Sequence, residues 1–406
     1  MWKTMLNGLQ ILVYYFTNEL KAIFKDAGAV LIFMIALVIY PLLYSIAYEK
    51  EVVRDIPIAV VDLDHSALSR QASRMADATE QINVKFKPQS LKEAEKLFYQ
   101  GEVKGVLLFP SHFEKDVFSG QQTNCVVYSD ASYFLLYKQV FAAAVYSVGT
   151  LNAGIEIKRM LAEGKTLKQA FEQQEPLKVE VENLYNPSSG YGSFVLPGII
   201  ILILQQTLLI GIGMMGGTQR EQNLFHIIHK RVNLKGGSIP VILGKSFAYT
   251  FIYLFNAIFC MVILHHWFKM PDNGSLISNI FILIPYLLSV SFLGLAISVF
   301  FRERVYSLLF IVFLSPVVLF LSGLSWPASS IPPFLYAIAH VFPSTSMIPI
   351  YIRMRICGAG LDQLTAEWGF MMLQMVSYFI LACFSYKIAI KKFTKATVKQ
   401  TTDFKI

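Results

Sequence analysis

Charge is what this sequence has least of. Only 15% of its 406 residues are Asp, Glu, Lys or Arg, and 55% are apolar. A soluble domain carries about a quarter charged residues, so a soluble globular protein is excluded. A disordered chain is excluded too, because it cannot hold so many apolar side chains. Four cysteines in 406 residues cannot frame a disulfide scaffold. There is no G-x-S-x-G, H-E-x-x-H or C-x-x-C motif, so no common hydrolase, zinc-protease or redox signature is present. The net charge of +8 would suit nucleic acid, but the charges sit where a membrane protein puts them.

Six stretches are long enough to cross the hydrocarbon core, which takes about 20 residues. They are Gly28 to Tyr48, Phe194 to Gly217, Ser246 to Leu264, Ile277 to Phe301, Val305 to Ser325 and Trp368 to Tyr386, and none contains Asp, Glu, Lys, Arg or His. Only a hydrogen-bonded helix satisfies such a backbone in lipid. The run Trp326 to Ile350 also lacks these residues apart from His340, but it holds Pro327, Pro332, Pro333, Pro343 and Pro349. Proline removes a donor and breaks helices. A short helix near Phe334 to Phe342, at the surface or re-entrant, is expected there.

With the N-terminus inside, the short inner segments 1–27, 218–240, 302–304 and 387–406 carry fifteen Lys and Arg, and the short outer segments 267–276 and 326–367 carry three. That is a positive-inside distribution. A seventh span at 326–350 would move the Lys-rich tail outside. The segment 49–193 then lies outside, with a formal charge of −3. The first run is too long for a signal peptide and follows a 27-residue lead, so an uncleaved anchor is expected.

In the lead, Trp2, Met5, Leu6, Leu9, Leu12, Val13, Phe16, Leu20, Ile23 and Phe24 recur at three- and four-residue steps, while Asn7, Gln10, Asn18, Lys21 and Lys25 fall largely opposite. This is an amphipathic helix. It either lies flat on the inner leaflet or packs on other helices. The outer segment is long enough for one domain. Strands are expected at Ile56 to Val61, Asn83 to Phe86, Val106 to Phe109, Cys125 to Tyr128 and Val179 to Leu184. Helices are expected at Ser66 to Ala78, Ser90 to Gln100 with a capping box, and Tyr133 to Gln174 as one helix or two. This alternation predicts a small α/β sheet domain.

Several residues invite chemistry and do not carry it. Asp62, Asp64 and His65 follow a strand, where paired carboxylates serve as turn formers and caps. Gly244-Lys245-Ser246 ends like a phosphate-binding loop, but Ile239 stands where the first glycine belongs and no strand precedes it. His226 and His229 share a helical face without further ligands nearby. The span cores hold no carboxylate, only neutral groups such as Gln205, Gln206, Asn256 and Asn279. Ion-driven carriers often place Asp or Glu there, so a transporter driven from outside the lipid is favoured. Cys125 and Cys357 fall outside and Cys260 and Cys383 within spans, and their spacing supports no disulfide.

The order of motifs resembles a known family. IPIAVVDLDHSALSRQ follows span one, YNPSSGYGSFVLPGII enters span two, GGTQREQNLFHIIHKR follows it, LGKSFAY enters span three and SGLSWPASSIPPFL follows span five. Together they resemble the permease subunit of ABC-2-type exporters with a large extracytoplasmic loop, over essentially the whole chain. The resemblance implies an α-helical membrane protein with six transmembrane helices and an inserted α/β extracytoplasmic domain. The parts would be an inner-face helix at 1–27, span one at 28–48, the domain at 49–193, spans two to six at 194–386 with an inner loop at 218–240 and a re-entrant segment at 326–350, and a basic tail at 387–406. It also implies a homodimer, or a pairing with a related permease, bound to separate ABC ATPase subunits that hold the ATP and Mg, with no cofactor and no hydrolysis in this chain.

Arg220, Glu221, Gln222, Leu224, Phe225, Ile228, Lys230 and Arg231 would form the coupling helix that docks on the ATPase, with Arg302 and Glu303 as a second contact. Alternating access would follow, with Pro41, Pro197, Pro285 and Pro316 available as kinks. A bacterial inner membrane, a lipophilic or amphipathic solute and a periplasmic adaptor are further expectations. The competing reading is an anchored receptor or scaffold whose outer domain binds a ligand. One span would suffice for that.

Overall fold

The computed structural model describes residues 2–177, 179–222, 224 and 237–403. In chain order the elements are α1 (Trp2–Lys25), α2 (Ala27–Ala47), β1 (Ile56–Asp62), α3 (Ala67–Asp77), β2 (Ile82–Phe86), α4 (Leu91–Tyr99), β3 (Gly105–Phe109), α5 (Phe113–Phe118), β4 (Val126–Ser129), α6 (Phe134–Ala162) and α7 (Leu167–Gln174). They continue with α8 (Tyr191–Glu221), α9 (Ile239–Trp267), α10 (Leu276–Ser298), α11 (Arg304–Leu321), α12 (Pro333–Ala339), α13 (Pro343–Arg355) and α14 (Thr365–Asp403). They form two compact units, one of residues Met1–Glu51 with Asn183–Ile406, the other Val52–Glu182. The expected domain limits of 49 and 193 lie slightly outside the second unit.

The first unit is helical. α8 and α10 are its most buried members, and their side chains fill the middle of one apolar cluster with Phe33, Leu37, Tyr249, Tyr253 and Tyr351. Each expected span lies within or closely overlaps an apolar helix: α2, α8, α9, α10, α11 and α14. Some of the neutral polar groups of the cores make internal hydrogen bonds, which a lipid surrounding favours. Tyr286 Oη donates to Ile201 O at 2.7 Å, and Gln205 Oε1 accepts from Ser344 N at 2.8 Å, at the start of α13. A π-helical turn at Leu31–Ile35 interrupts the ladder of α2, and Asn256 Nδ2 of α9 donates to Phe33 O there at 3.3 Å. A carbonyl loosened in one helix is thus taken up by its neighbour.

The lead forms one helix, and of its two readings the packed one describes its buried face. α1 lies along α9, with Ile11, Tyr15 and Ile23 buried in the apolar cluster. The Pro-rich run differs from expectation. It forms two helices rather than one, α12 and α13, bent by 93° at a three-residue break. Proline stands at the first helical position of each, where its missing N–H costs nothing. The join between α2 and α8 is held by Glu51, whose carboxylate accepts from Ser193 N at 3.0 Å and from Ser193 Oγ at 2.7 Å in the first turn of α8. Negative charge suits a helix N-terminus.

The second unit is a four-stranded sheet in the order β2-β1-β3-β4, parallel except for β3 with β4. β1 is covered on both faces, so its residues read as one apolar run. Ile56, Ile58 and Val60 pack against Leu68, Ala72 and Ala76 of α3 and Val140, Ala143 and Ala144 of α6. Ala59 and Val61 pack with Ala94 of α4. The expected long helix is two, α6 and α7, and the latter opens with a capping box between Thr166 and Gln169. The fifth expected strand, Val179 to Leu184, is not a strand. Val179, Val181 and Leu184 are exposed there: their alternation meets no sheet edge, and without a partner strand an extended segment gains no ladder.

Among the described residues seven helices, not six, are long and apolar enough to cross a membrane. The seventh is α6. Between Val140 and Leu151 its buried residues Val140, Ala143, Ala144, Ser147 and Leu151 follow one helical stripe, and all but Ser147 belong to the core beneath the sheet. Length and hydropathy alone do not separate such a helix from a span.

The turn after β1 is built from the two aspartates. Asp62 Oδ1 accepts from Asp64 N and His65 N at 3.1 and 2.9 Å. Asp64 Oδ2 accepts from Glu114 N at 3.0 Å, while Glu114 Oε1 accepts from Leu68 N at 3.1 Å. Burial would raise the Asp64 carboxyl, but the Ser66 hydroxyl and the N–H groups of Glu114, His112 and Phe113 outweigh it and hold it below the usual carboxylate range. A depressed folded pKa stabilises above the unfolded value, about 3.9, and that stabilisation fades as pH falls through the folded value. Asp64→Asn is therefore expected to cost about 1 kcal/mol near neutral pH and to cost less with each step toward pH 3. Amide exchange at Glu114 as a function of pH reads this directly. A cost that does not change between pH 6 and 3 would contradict it.

Candidate functional site

The residues expected to meet an ATPase lie at and after the end of α8. Arg220 and Glu221 close that helix, Gln222 caps it and Leu224 follows, half exposed. Phe225, Ile228, Lys230 and Arg231 lie outside the described residues, as do His226 and His229. Arg302 and Glu303 are exposed before α11.

The last turn of α8 is fastened to the start of α11. Glu221 Oε1 accepts the backbone N–H of Arg304 at 2.7 Å, one of the donors that a helix N-terminus leaves unpaired. The Arg304 guanidinium donates to both Asp26 oxygens, at 2.7 and 2.8 Å, a bidentate pair of the strong kind. Asp26 itself caps α2 by accepting from Ala29 N at 3.0 Å. Burial raises the Asp26 carboxyl, but the Arg304 hydrogen bond and the N–H groups of Ala29 and Gly28 outweigh it and leave it below its ordinary value. Gly217 makes the approach possible: a Cβ there would lie 2.7 Å from Arg304 Cα and N.

Next to this junction lies a buried ionic network. Lys245 Nζ is 3.1 Å from Glu19 Oε2, and both side chains are nearly inaccessible to solvent. Lys245 also donates to Gln219 Oε1 at 2.9 Å, Gln219 Nε2 donates to Glu19 Oε2 at 3.4 Å, and the Tyr249 hydroxyl donates to Glu19 Oε1. Glu19 is on α1, Gln219 on α8, and Lys245 and Tyr249 on α9, so four side chains tie three helices. Gly244 permits it, since a Cβ there would lie 2.5 Å from Leu12 O of α1. The Gly-Lys-Ser sequence thus marks a close helix crossing, and its lysine is spent on a glutamate.

Sequence reasoning missed Glu19, Asp26, Gln219, Lys245, Tyr249 and Arg304 as a set. A signal existed for one: Ile11, Tyr15, Glu19 and Ile23 recur every four residues, which puts Glu19 on the apolar stripe. Its partner could not be read from spacing, because the pair is 226 residues apart.

A comparison with curated proteins finds no match. Among the described residues no cluster of His, Cys, Asp and Glu is placed to hold a metal ion. The family model described as ABC-2 family transporter protein matches residues 28–384, from the start of α2 to well inside α14, so the chain belongs to the ABC-2 family of transporter proteins, as a membrane permease component.

Proposed function

We propose that the chain is the permease of an ATP-driven exporter, dimeric and worked by separate ABC ATPase subunits that dock on the α8–α9 connection. The observation that carries this reading is the junction itself. The end of α8 is joined through Glu221 to α11, through Arg304 and Asp26 to α2, and through Gln219 to α1 and α9. A push on the residues after Glu221 would reach five helices. Arg220, Gln222 and Leu224 are the described residues offered to an ATPase, with Arg302 and Glu303 beside them. Six spans fit the charge distribution, with α6 kept in an extracytoplasmic sheet unit and both termini cytosolic. The bent pair α12–α13 fits a re-entrant segment. The exposed apolar faces of α2 and α11, which include Leu31, Ile35, Phe310 and Phe313, suit lipid or a second permease.

The test is co-purification with a candidate ABC ATPase and transport into vesicles. Arg220→Glu together with Leu224→Asp is expected to lower ATPase recovery about tenfold, as loss of a charged and an apolar anchor together would. Transport that survives deletion of 223–236 would end the coupling reading. The receptor reading predicts no ATPase recovery at all.

A further inference from the structure

A cleft of about 370 Å³ opens in the sheet unit beside the carboxyl ends of β1 and β2. That end of a parallel sheet is where α/β folds hold ligands. Its walls carry Arg70 and Arg74 of α3, Lys87 just after β2, and His65 of the β1–α3 turn. Three formal positive charges thus converge in a region whose balance is −3 over 49–193.

None of Arg70, Arg74 and Lys87 makes an ion pair among the described residues, whereas nearby Lys85 pairs with Glu102 at 2.9 Å and Arg54 with Glu80 at 3.3 Å. The one acidic side chain in the lining is Asp62. Its oxygens accept from Asp64 N, His65 N and the Ser69 hydroxyl at 2.8 Å, and it pairs with neither arginine, so Arg70, Arg74 and Lys87 less Asp62 leave the lining a formal charge of +2. Arg70 is positioned by donating to His65 O at 2.6 Å.

The floor adds a hydroxyl that is open to the cleft. Ser73 lies on the same helical face as Arg70 and Arg74. It is 6% exposed, lines the cleft, and its hydroxyl makes no hydrogen bond among the described residues. Two guanidinium groups, one ammonium and a donor hydroxyl form a donor set rich in charge and without a free acceptor carboxylate. A carboxylate would need one of the arginines. A phosphoryl dianion has the charge and the three oxygens to use the whole set.

We infer that this cleft binds a phosphoryl-bearing ligand, through Arg70, Arg74, Lys87 and the Ser73 hydroxyl. The same chemistry is presented by a soluble phosphate ester and by a phosphomonoester lipid headgroup. The inference does not depend on ATPase coupling and would stand in a receptor.

The experiment uses the full chain in phosphatidylcholine nanodiscs, titrated by calorimetry with inorganic phosphate in one arm and short-chain phosphatidic acid in the other. Binding is expected in at least one arm. Arg74→Gln with Lys87→Gln should weaken it by about tenfold or more, and Ser73→Ala by a few-fold. Lys85→Gln removes a cation of the same unit outside the cleft and should change nothing. Arg74 and Lys87 are exposed and unpartnered, so their loss leaves folding intact, which the melting curve checks. Phosphate binding without phosphatidic acid binding assigns a soluble source; a stronger lipid arm assigns a headgroup. No binding in either arm up to about 10 mM, or equal weakening by Lys85→Gln, overturns the inference.

Discussion

Replacing Lys245 by methionine is expected to destabilise the helical unit by about 3–5 kcal/mol, the range for stripping one partner from a buried ion pair. The substitution keeps the length and most of the volume of the side chain, so packing survives. What is lost is the charge that compensates Glu19, 3.1 Å away and 3% exposed. Gln219 and Tyr249 still donate to Glu19, but two hydrogen bonds from neutral groups do not replace a cation where water is absent. The double variant Glu19→Leu with Lys245→Met should recover most of the loss, because an apolar pair of similar volume avoids the desolvation cost of both ions. Chemical unfolding in detergent would measure four proteins: the parent, Lys245→Met, Glu19→Leu and the double variant. A single variant within about 1 kcal/mol of the parent, or a double variant equal to the sum of two singles, would show that the pair is not coupled as its geometry implies.

The second large effect is expected at Gly217. Alanine there places a methyl group 2.7 Å from Arg304 Cα and N and 2.8 Å from Glu303 C. All three are backbone atoms at the start of α11, so no flexible side-chain end can turn aside. α8 and α11 must separate, and with them go the Glu221 bond to Arg304 N and the alignment of Arg304 on Asp26. Overpacking of this kind costs about 1–3 kcal/mol, and the lost cap adds about 1 kcal/mol. Gly369 is the control, since a Cβ there meets nothing within 4 Å. Gly369→Ala removes a helix-interior glycine from α14 and should be neutral or stabilising. Side-by-side melting of the two alanine variants decides the matter, and a Gly217→Ala protein as stable as Gly369→Ala would contradict the close crossing.

Both predictions rest on residues whose importance lies in partners far away along the chain. Spacing within a helix reports which face a residue occupies, so Glu19 could be assigned to the buried stripe of α1. It does not report which helix arrives at that face. Lys245 looked like the remnant of a nucleotide loop because its neighbours in sequence are Gly244 and Ser246. Its neighbours in space are Glu19, Gln219 and Tyr249. Glu221 reads in sequence as a surface charge for a partner protein, and the structure adds that one of its carboxylate oxygens accepts from Arg304 N.

The apolar runs behaved differently. Scarcity of charge over some 20 residues leaves a backbone no solution in lipid but a helix, so α2, α8, α9, α10, α11 and α14 were legible without any partner. The parallel strands β1 and β3 were legible too, as continuous apolar runs that only a two-sided cover explains. Two segments show the limit. Val179 to Leu184 alternates like a strand but has no edge to pair with, and α6 has a span's hydropathy but gives its apolar stripe to a sheet. Composition by itself thus determined that this chain enters a membrane and carries an α/β insertion, because those outcomes depend on local solvation and periodicity. Which carboxylate meets which cation, which apolar helix is a core element, and which hydroxyl is left without a partner were decided only by the tertiary structure, because burial and pairing are relations between segments that the chain brings together from hundreds of residues apart.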